Sequence, residues 1–215
     1  MRKILFATTN QSKINRFQKD LLEEGMEMIS LKDIDIFIDV EENGLNAIEN
    51  AILKAKAYSE KVEFPVIAMD DSLYLEGVPE SLQPGLFVRR VQGKRLNDQE
   101  MISHYISLVK KYGKKGKITA RWIYGIAYVL KDSIKTYTWS KEDFYLVDTP
   151  SKEIHEGYPL DSISIHKKLN KYFSEITDKD KESIQEDEKH VCQFIINSFN
   201  QTVENKLEKD IHKKL

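Results

Sequence analysis

Two pairs of acidic residues stand at the ends of one short stretch of the chain. Glu41 and Glu42 open this stretch, Asp70 and Asp71 close it, and Lys54 lies between them. Carboxylates gathered from two segments suit a hard cation such as Mg²⁺, which prefers oxygen ligands and usually shares its shell with substrate phosphates. One carboxylate could also accept a proton from water. Acidic pairs are equally typical of solvated surface in a chain that is 32% charged, so these residues alone leave both interpretations open.

A polar turn near the amino terminus is a second candidate for chemistry. Residues 8–12 carry short hydroxyl and amide side chains, and Lys13 follows them. Unpaired N–H groups at a helix start, with the positive end of the helix dipole behind them, form an anion site that Lys13 would complete. Ser, Thr and Asn also cap helices without binding any ligand, and the turn alone favours that interpretation.

Hydrophobic periodicity predicts the elements that carry the first half of these residues. Residues 3–7 predict a strand, the following helix ends near Gly25, and residues 34–40 predict another strand. Asn46, with Glu49 three residues later, has the form of a capping box and begins an amphipathic helix that carries Lys54.

The apolar run after this helix decides where the second acidic pair lies. Residues 66–69 predict a short strand buried on both faces. Asp70 and Asp71 would then follow its carboxyl end, where open α/β sheets place their ligand crevices.

The second half of the chain predicts one helix and a β-rich lobe. Residues 97–112 have helical periodicity, and residues 118–130 and 135–147 predict an antiparallel pair of strands. A loop over residues 156–164 contains Tyr158, on which a base could stack, although aromatic residues in such turns also serve packing. Arg89 and Arg90 could clamp a phosphate, although adjacent arginines near a loop are also typical of solvated surface.

Length and composition exclude several classes of protein. The 215 residues are 40% hydrophobic, which supports one sizeable folded domain. The formal net charge of −2 offers no global attraction for nucleic acid. No apolar run reaches membrane-spanning or signal-peptide length, so we expect a cytoplasmic protein without a membrane partner. Cys192 is the single cysteine and five scattered histidines show no zinc-ligand spacing.

Three motifs in the first 90 residues resemble those of one family, the inosine triphosphate pyrophosphatases, also called deaminated-purine NTP pyrophosphatases. The family signature ATGNxxK resembles Ala7, Thr8, Thr9, Asn10 and Lys13. The signature E-x-G followed by ENAxxKA is matched by Glu42, Gly44, Glu49, Asn50, Ala51, Lys54 and Ala55. The signature ADDSGL with a downstream PGxxxxR resembles Asp70, Asp71, Ser72, Pro84, Gly85 and Arg90.

The resemblance implies a fold and an activity. It implies an α/β protein with an elongated mixed central sheet, flanking helices and two lobes around a nucleotide cleft: a core lobe of about 1–115 and 180–215, and a β-rich lobe of about 116–179. It implies a homodimer. It also implies hydrolysis of nucleoside triphosphates such as ITP, dITP or XTP to the monophosphate and pyrophosphate, with Mg²⁺ as the cofactor and Mn²⁺ as the alternative.

The resemblance also implies roles for individual residues. Glu42 and Asp71 would hold the metal ion, and Asp71, with Asp70 as the alternative, would activate the attacking water. The substrate would contact Thr8, Thr9, Asn10, Lys13, Lys54, Ser72, Arg90, Tyr158, Asp161 and Lys181.

One family motif is missing, and it concerns the base. The family carries Ser-His-Arg shortly after the lysine that Lys181 resembles, whereas this chain has Gln185, Glu186 and Asp187. The acids Glu186 and Asp187, in place of the family's His and Arg, would remove donors to the base edge, so the base preference is open. Two other functions therefore remain: a nucleotide-binding or regulatory module that has lost turnover, and a structural or partner-binding protein.

Overall fold

The computed structural model describes residues 2–184 and 186–212, without the side chains of residues 12, 186–188 and 203–212. Within these residues the α-helices are α1 (Gln11–Glu23), α2 (Leu31–Ile34), α3 (Ala47–Ser59), α4 (Asp98–Tyr112), α5 (Asp178–Glu182) and α6 (Glu186–His212). The strands are β1 (Arg2–Phe6), β2 (Met26–Ser30), β3 (Val66–Leu75), β4 (Arg90–Val91), β5 (Lys94–Arg95), β6 (Lys117–Leu130), β7 (Ser133–Val147), β8 (Ser164–His166) and β9 (Lys171–Tyr172).

Seven of these strands form one mixed sheet, as the sequence predicted for the fold class. Their order is β2-β1-β3-β6-β7-β8-β9, and β4 pairs with β5 in a separate antiparallel hairpin. β1 runs parallel to both β2 and β3, whereas β8 runs antiparallel to β7 and β9. Only two residues connect β6 to β7, which confirms the predicted antiparallel pair.

The chain divides into two compact units that interleave along the sequence. Unit 1 comprises residues 1–70, 124–138 and 185–215, and unit 2 comprises residues 71–123 and 139–184. β3, β6 and β7 each contribute residues to both units. The lobe boundaries near residues 116 and 180 stay a prediction.

The core of unit 1 packs α3 against the parallel strands. Ala51, Ala55 and Tyr58 of α3 are buried with residues of β1 and β3, including Leu5 and Val66. Gly125 of β6 lies so close to α3 that an added Cβ would stand 2.6 Å from the backbone nitrogen of Ile48. A side chain at position 125 would therefore push the first turn of α3 away from β6.

The core of unit 2 is built on α4. Met101, Tyr105 and Leu108 of this helix are buried with Leu73 and Phe144. Asn97 caps α4 through a reciprocal pair of hydrogen bonds with Glu100. The helix predicted over residues 97–112 is thus confirmed.

The strand predicted over residues 34–40 is wrong. This segment contains the end of α2 and residues without regular structure. Ile36 and Ile38 nevertheless pack against the core of unit 1, which accounts for the alternating pattern. The hydroxyl of Tyr58 accepts a hydrogen bond from the backbone N–H of Ile38 at 3.1 Å. In a sheet, this N–H would instead donate to a neighbouring strand.

The strand predicted over residues 66–69 is real but too short. β3 continues to Leu75, so Asp70 and Asp71 lie in the middle of the strand and not after its carboxyl end. The continuation is held by contacts far along the chain. The backbone N–H of Leu73 donates to the carbonyl of Gly85 at 3.0 Å, and Gly85 returns a bond of the same length.

None of the described helices has the length and apolarity that a membrane span requires.

Candidate functional site

A single buried amide in unit 1 connects the acidic loop before α3 to β3. Asn50 is 3% exposed. Its Oδ1 accepts a hydrogen bond from the backbone N–H of Gly44 at 2.8 Å, and its Nδ2 donates to Oδ2 of Asp70 at 2.9 Å. Gly44 cannot carry a side chain here, because an added Cβ would lie 2.7 Å from Oδ1 of Asn50. Asn50 therefore fixes the loop that carries Glu42 and the orientation of Asp70 at the same time.

Glu42 and Lys54 form an ion pair beside this amide. Nζ of Lys54 lies 3.0 Å from Oε1 of Glu42, and the two side chains are 17% and 39% exposed. An ion pair that remains partly in contact with water contributes at most about 1 kcal/mol to folding stability. Lys54 can therefore exchange its carboxylate partner for a phosphate at little cost, and Glu42 can exchange its ammonium partner for a metal ion.

The polar turn before α1 belongs to the same unit. The carbonyl of Asn10 accepts from the N–H of Ile14, so Asn10 stands at the cap of α1. Oγ1 of Thr8 accepts from the N–H of Asn10 at 3.1 Å. Nζ of Lys13 lies 3.4 Å from the carbonyl of Met69, the residue before Asp70. The turn thus leads directly into α1, whose first turn directs Lys13 to the strand that carries the acids.

The acidic residues at this site fit a metal ion that takes most of its ligands from water and substrate phosphates. Among the described side chains, no three His, Cys, Asp or Glu residues gather closely enough to hold an ion by themselves. Mg²⁺ is usually bound by one or two carboxylates, with water and substrate phosphates completing its octahedron. The partly exposed carboxylate of Glu42 is a suitable oxygen donor for such a site.

Asp71 and Ser72 begin unit 2 on the same strand. Asp71 is partly buried, whereas Ser72 is 4% exposed. Oγ of Ser72 lies 3.4 Å from the backbone carbonyl of Ile123 and donates to it.

The predicted base-binding loop contains a short 3₁₀ turn, Pro159–Ile163, in unit 2. Tyr158 precedes the turn and is 42% exposed, so its ring can be reached by a planar ligand. Asp161 lies inside the turn. Burial raises the pKa of Asp161 to about 6, although the nearby His155 acts in the opposite direction. At neutral pH this carboxyl is therefore mostly ionised, and it reaches half-protonation only as the pH falls to about 6.

The remaining predicted substrate residues lie on the surface of unit 2. Arg90 is exposed and belongs to the β4–β5 hairpin. Lys181 is 54% exposed and pairs with Asp178 one turn earlier in α5. Gln185 and the side chains of Glu186 and Asp187 lie outside the described residues, so the missing family motif has no structural counterpart to compare.

No function was assigned to Asn50 from the sequence, although Asn50 lies between the predicted site residues Glu42 and Lys54. The available signal was a polar residue next to Ala51 on the apolar stripe of α3, which is where buried amides with specific partners occur. The two partners of Asn50 lie in a loop and in a strand, which no helical pattern reveals.

Comparison with known proteins finds one family over most of the chain. The model of the Ham1 family matches residues 4–195. The dITP/XTP pyrophosphatase of Bacillus subtilis (strain 168) is 30% identical over 184 residues, which cover 86% of this chain and 90% of that protein. The dITP/XTP pyrophosphatase of Leptospira interrogans is 27% identical over 194 residues, which cover 90% of this chain and 95% of that protein.

Solved structures show the same fold. The Ham1 protein of Staphylococcus aureus superposes with a TM-score of 0.65 at 26% identity, covering 84% of this chain and 89% of that one. A HAM1 protein from Coxiella burnetii superposes with a TM-score of 0.71 at 22% identity, covering 92% of this chain and all of that one.

Proposed function

The chain belongs to the Ham1 family, and from this membership we propose that the protein is a nucleoside triphosphate pyrophosphohydrolase. It cleaves the bond between the α and β phosphates and releases a nucleoside monophosphate and pyrophosphate. The curated relatives that cover most of the chain are named dITP/XTP pyrophosphatases, which supports a non-standard purine nucleotide as the substrate.

The observation that carries this proposal is the bonded group around Asn50. One buried amide holds Asp70 and the loop of Glu42, while Lys54 pairs with Glu42 at 3.0 Å. Acids fixed from two segments, with a lysine beside them, are the residue types needed to bind a metal–phosphate complex.

The triphosphate would be bound by residues that supply donors and positive charge. Lys13 and Lys54 neutralise phosphate oxygens, and the hydroxyls and amide of Thr8, Thr9 and Asn10 donate hydrogen bonds to them. Negative charge accumulates on the leaving pyrophosphate as the bond breaks, so fixed cations that interact with it lower the barrier.

Asp71 would act on the attacking water, with Asp70 as the alternative. The water oxygen bonds to the α phosphorus, the bond from that phosphorus to the bridging oxygen breaks, and the proton moves to the carboxylate. Asp70 already accepts a hydrogen bond from Asn50 at 2.9 Å, which favours Asp71 for the proton transfer.

Glu42 and Asp71 would hold Mg²⁺, and Mn²⁺ has compatible oxygen chemistry. Such an ion, when bound, polarises the phosphoryl oxygens. We also propose a homodimer, as the family resemblance implies, and a cytoplasmic location; sedimentation analysis tests the first.

Binding of the base would involve Tyr158 by stacking and Asp161 and Lys181 by polar contacts. The exposure of Tyr158 and the raised pKa of Asp161 support this assignment. A protonated carboxyl can donate to a ring nitrogen or a carbonyl of the base, whereas the ionised form only accepts.

Product analysis tests the proposal. The purified chain is incubated in separate reactions with ITP, dITP, XTP and each standard triphosphate, and every reaction contains Mg²⁺. The products are separated by anion exchange. We expect equal amounts of monophosphate and pyrophosphate, formed fastest from the non-standard purines. Release of orthophosphate, or no release from any nucleotide by a folded chain, would overturn the proposal.

A further inference from the structure

An ion pair in unit 2 binds both polar groups of one glycine backbone. Nη1 of Arg89 lies 2.6 Å from Oδ1 of Asp98. The second carboxylate oxygen of Asp98 accepts the backbone N–H of Gly157 at 2.7 Å, and Nη2 of Arg89 donates to the carbonyl of Gly157 at 3.4 Å. One ion pair thus binds the residue that immediately precedes Tyr158.

Both partners of the pair are themselves held in place. Asp98 is the first residue of α4, directly after the cap formed by Asn97, where the helix dipole favours a carboxylate. The carbonyl of Arg89 accepts from the N–H of Leu96, and the preceding carbonyl of Val88 accepts from the hydroxyl of Tyr105 at 2.9 Å. The pair is therefore a rigid support for the loop and not a mobile surface contact.

The burial and geometry of the pair distinguish it from ordinary surface pairs. The side chains of Arg89 and Asp98 are 31% and 28% exposed, whereas Lys94 of the neighbouring pair with Glu100 is 68% exposed. Gly157 has a φ of +85°, in the left-handed region, and this conformation is part of the turn that presents Tyr158. The fork of an arginine is suited to two simultaneous acceptors, here a carboxylate and a carbonyl.

We propose that Arg89 and Asp98 are positioning residues for the nucleobase. They fix Gly157 and thereby the ring of Tyr158, so that binding of the base does not have to order the loop. This inference rests on the proposed function, because it takes Tyr158 as the residue that stacks on the base. From the sequence, Arg89 was considered only as a phosphate clamp together with Arg90, and Asp98 had no assigned role.

The first test measures order in the loop without any requirement for turnover. In Asp98→Asn the charge of the pair is lost, and in Arg89→Lys one ammonium cannot reach both acceptors in the same fork geometry. We expect hydrogen–deuterium exchange of peptides covering residues 153–160 to be roughly ten- to hundredfold faster in Asp98→Asn, with a smaller increase in Arg89→Lys. Peptides from β3 should be unchanged, and so should all peptides of the control Lys94→Gln.

The second test asks whether the loop acts on the base. Product inhibition is measured with IMP, which carries a base, and with pyrophosphate, which does not. We expect the inhibition constant of IMP to rise about tenfold in Asp98→Asn and that of pyrophosphate to stay unchanged. A role limited to folding would raise both or neither.

The outcomes separate the two proposals. Unchanged exchange of residues 153–160 in both variants would overturn the positioning role, as would faster exchange with equal shifts for IMP and pyrophosphate. A folded wild-type chain that releases no pyrophosphate would instead refute the proposed function. In that case, calorimetric binding of IMP to the wild type and to Asp98→Asn would replace the inhibition measurement. Equal affinities of the two proteins for IMP would overturn the positioning role.

Discussion

Asn50 donates a hydrogen bond from its amide nitrogen to the carboxylate of Asp70 at 2.9 Å, across 20 residues of sequence. The same amide accepts the backbone N–H of Gly44. The roles proposed for the acids in unit 1 depend on this arrangement, because it orients the carboxylate of Asp70 and fixes the loop of Glu42.

Replacing Asn50 by Asp tests the arrangement with almost no change in shape. The acceptor for Gly44 remains, but the donor to Asp70 becomes a second carboxylate oxygen at about the same short distance. We expect the free energy of unfolding at pH 7 to fall by about 3 kcal/mol, with much of the loss recovered at pH 4, where the pair can share a proton. Urea denaturation at the two pH values measures this.

Asn43→Asp is the matched control, because it adds the same charge at an exposed position of the same loop. It should leave the unfolding free energy within about 0.5 kcal/mol of the wild type. Equal effects of the two variants would show that general charge, and not the contact with Asp70, is responsible.

Gly125→Ala tests the packing that positions α3. Its Cβ would stand 2.6 Å from the nitrogen and 2.7 Å from the Cα of Ile48, both backbone atoms that cannot rotate away. We expect a loss of about 1–3 kcal/mol in unfolding free energy, because the helix must shift. We also expect slower pyrophosphate release, since Asn50 and Lys54 move with α3. A variant with normal stability and normal activity would contradict the role of this contact.

Lys54→Gln separates stability from phosphate binding. Its ion pair with Glu42 is partly exposed, so the unfolding free energy should change by less than about 1 kcal/mol. The value of kcat/KM for dITP should fall at least about tenfold, because a charge-assisted bond to the triphosphate is lost. Lys56→Gln, an exposed lysine on the same helix, is the control and should keep wild-type kinetics.

Asp161→Asn tests the pKa of the carboxyl in the 3₁₀ turn. Because burial raises its pKa from 3.8 to about 6 in the folded protein, the folded state binds more protons than the unfolded state between these pH values. The associated stability is fully present below pH 4 and is lost as the pH rises through 6, a change on the order of 2–3 kcal/mol. The unfolding free energy of the variant should lack this part of the decline with rising pH.

The measurement is the unfolding free energy of wild type and Asp161→Asn at half-unit steps from pH 4 to pH 7. The difference between the two curves isolates Asp161 from all other titrating groups. Parallel curves would show that Asp161 has an ordinary pKa in the folded protein.

Local signals in the sequence predicted local structure well. Asn46 begins α3 and accepts the N–H of Glu49, and Asn97 begins α4 in the same way, because a cap depends only on residues within one turn. The family resemblance and the mixed α/β class were also confirmed. These features need no knowledge of distant contacts.

Features that depend on distant partners were predicted less well. The predicted length of β3 was wrong because Leu73 pairs with Gly85, which extends the strand. The strand predicted over residues 34–40 was wrong because the side chain of Tyr58 takes the place of a neighbouring strand. The interactions of Asn50 and of the pair Arg89–Asp98 escaped for the same reason. Each joins segments between 6 and 68 residues apart, and no periodicity reports such distances.

The most direct test of the account is the rate of pyrophosphate release from dITP by Asp71→Asn in the presence of Mg²⁺. Asp132→Asn, an exposed change in the turn between β6 and β7, serves as the control. We expect Asp71→Asn to fold normally and to lose at least about a hundredfold in kcat, while Asp132→Asn keeps the wild-type rate. Wild-type kcat in Asp71→Asn would contradict the account.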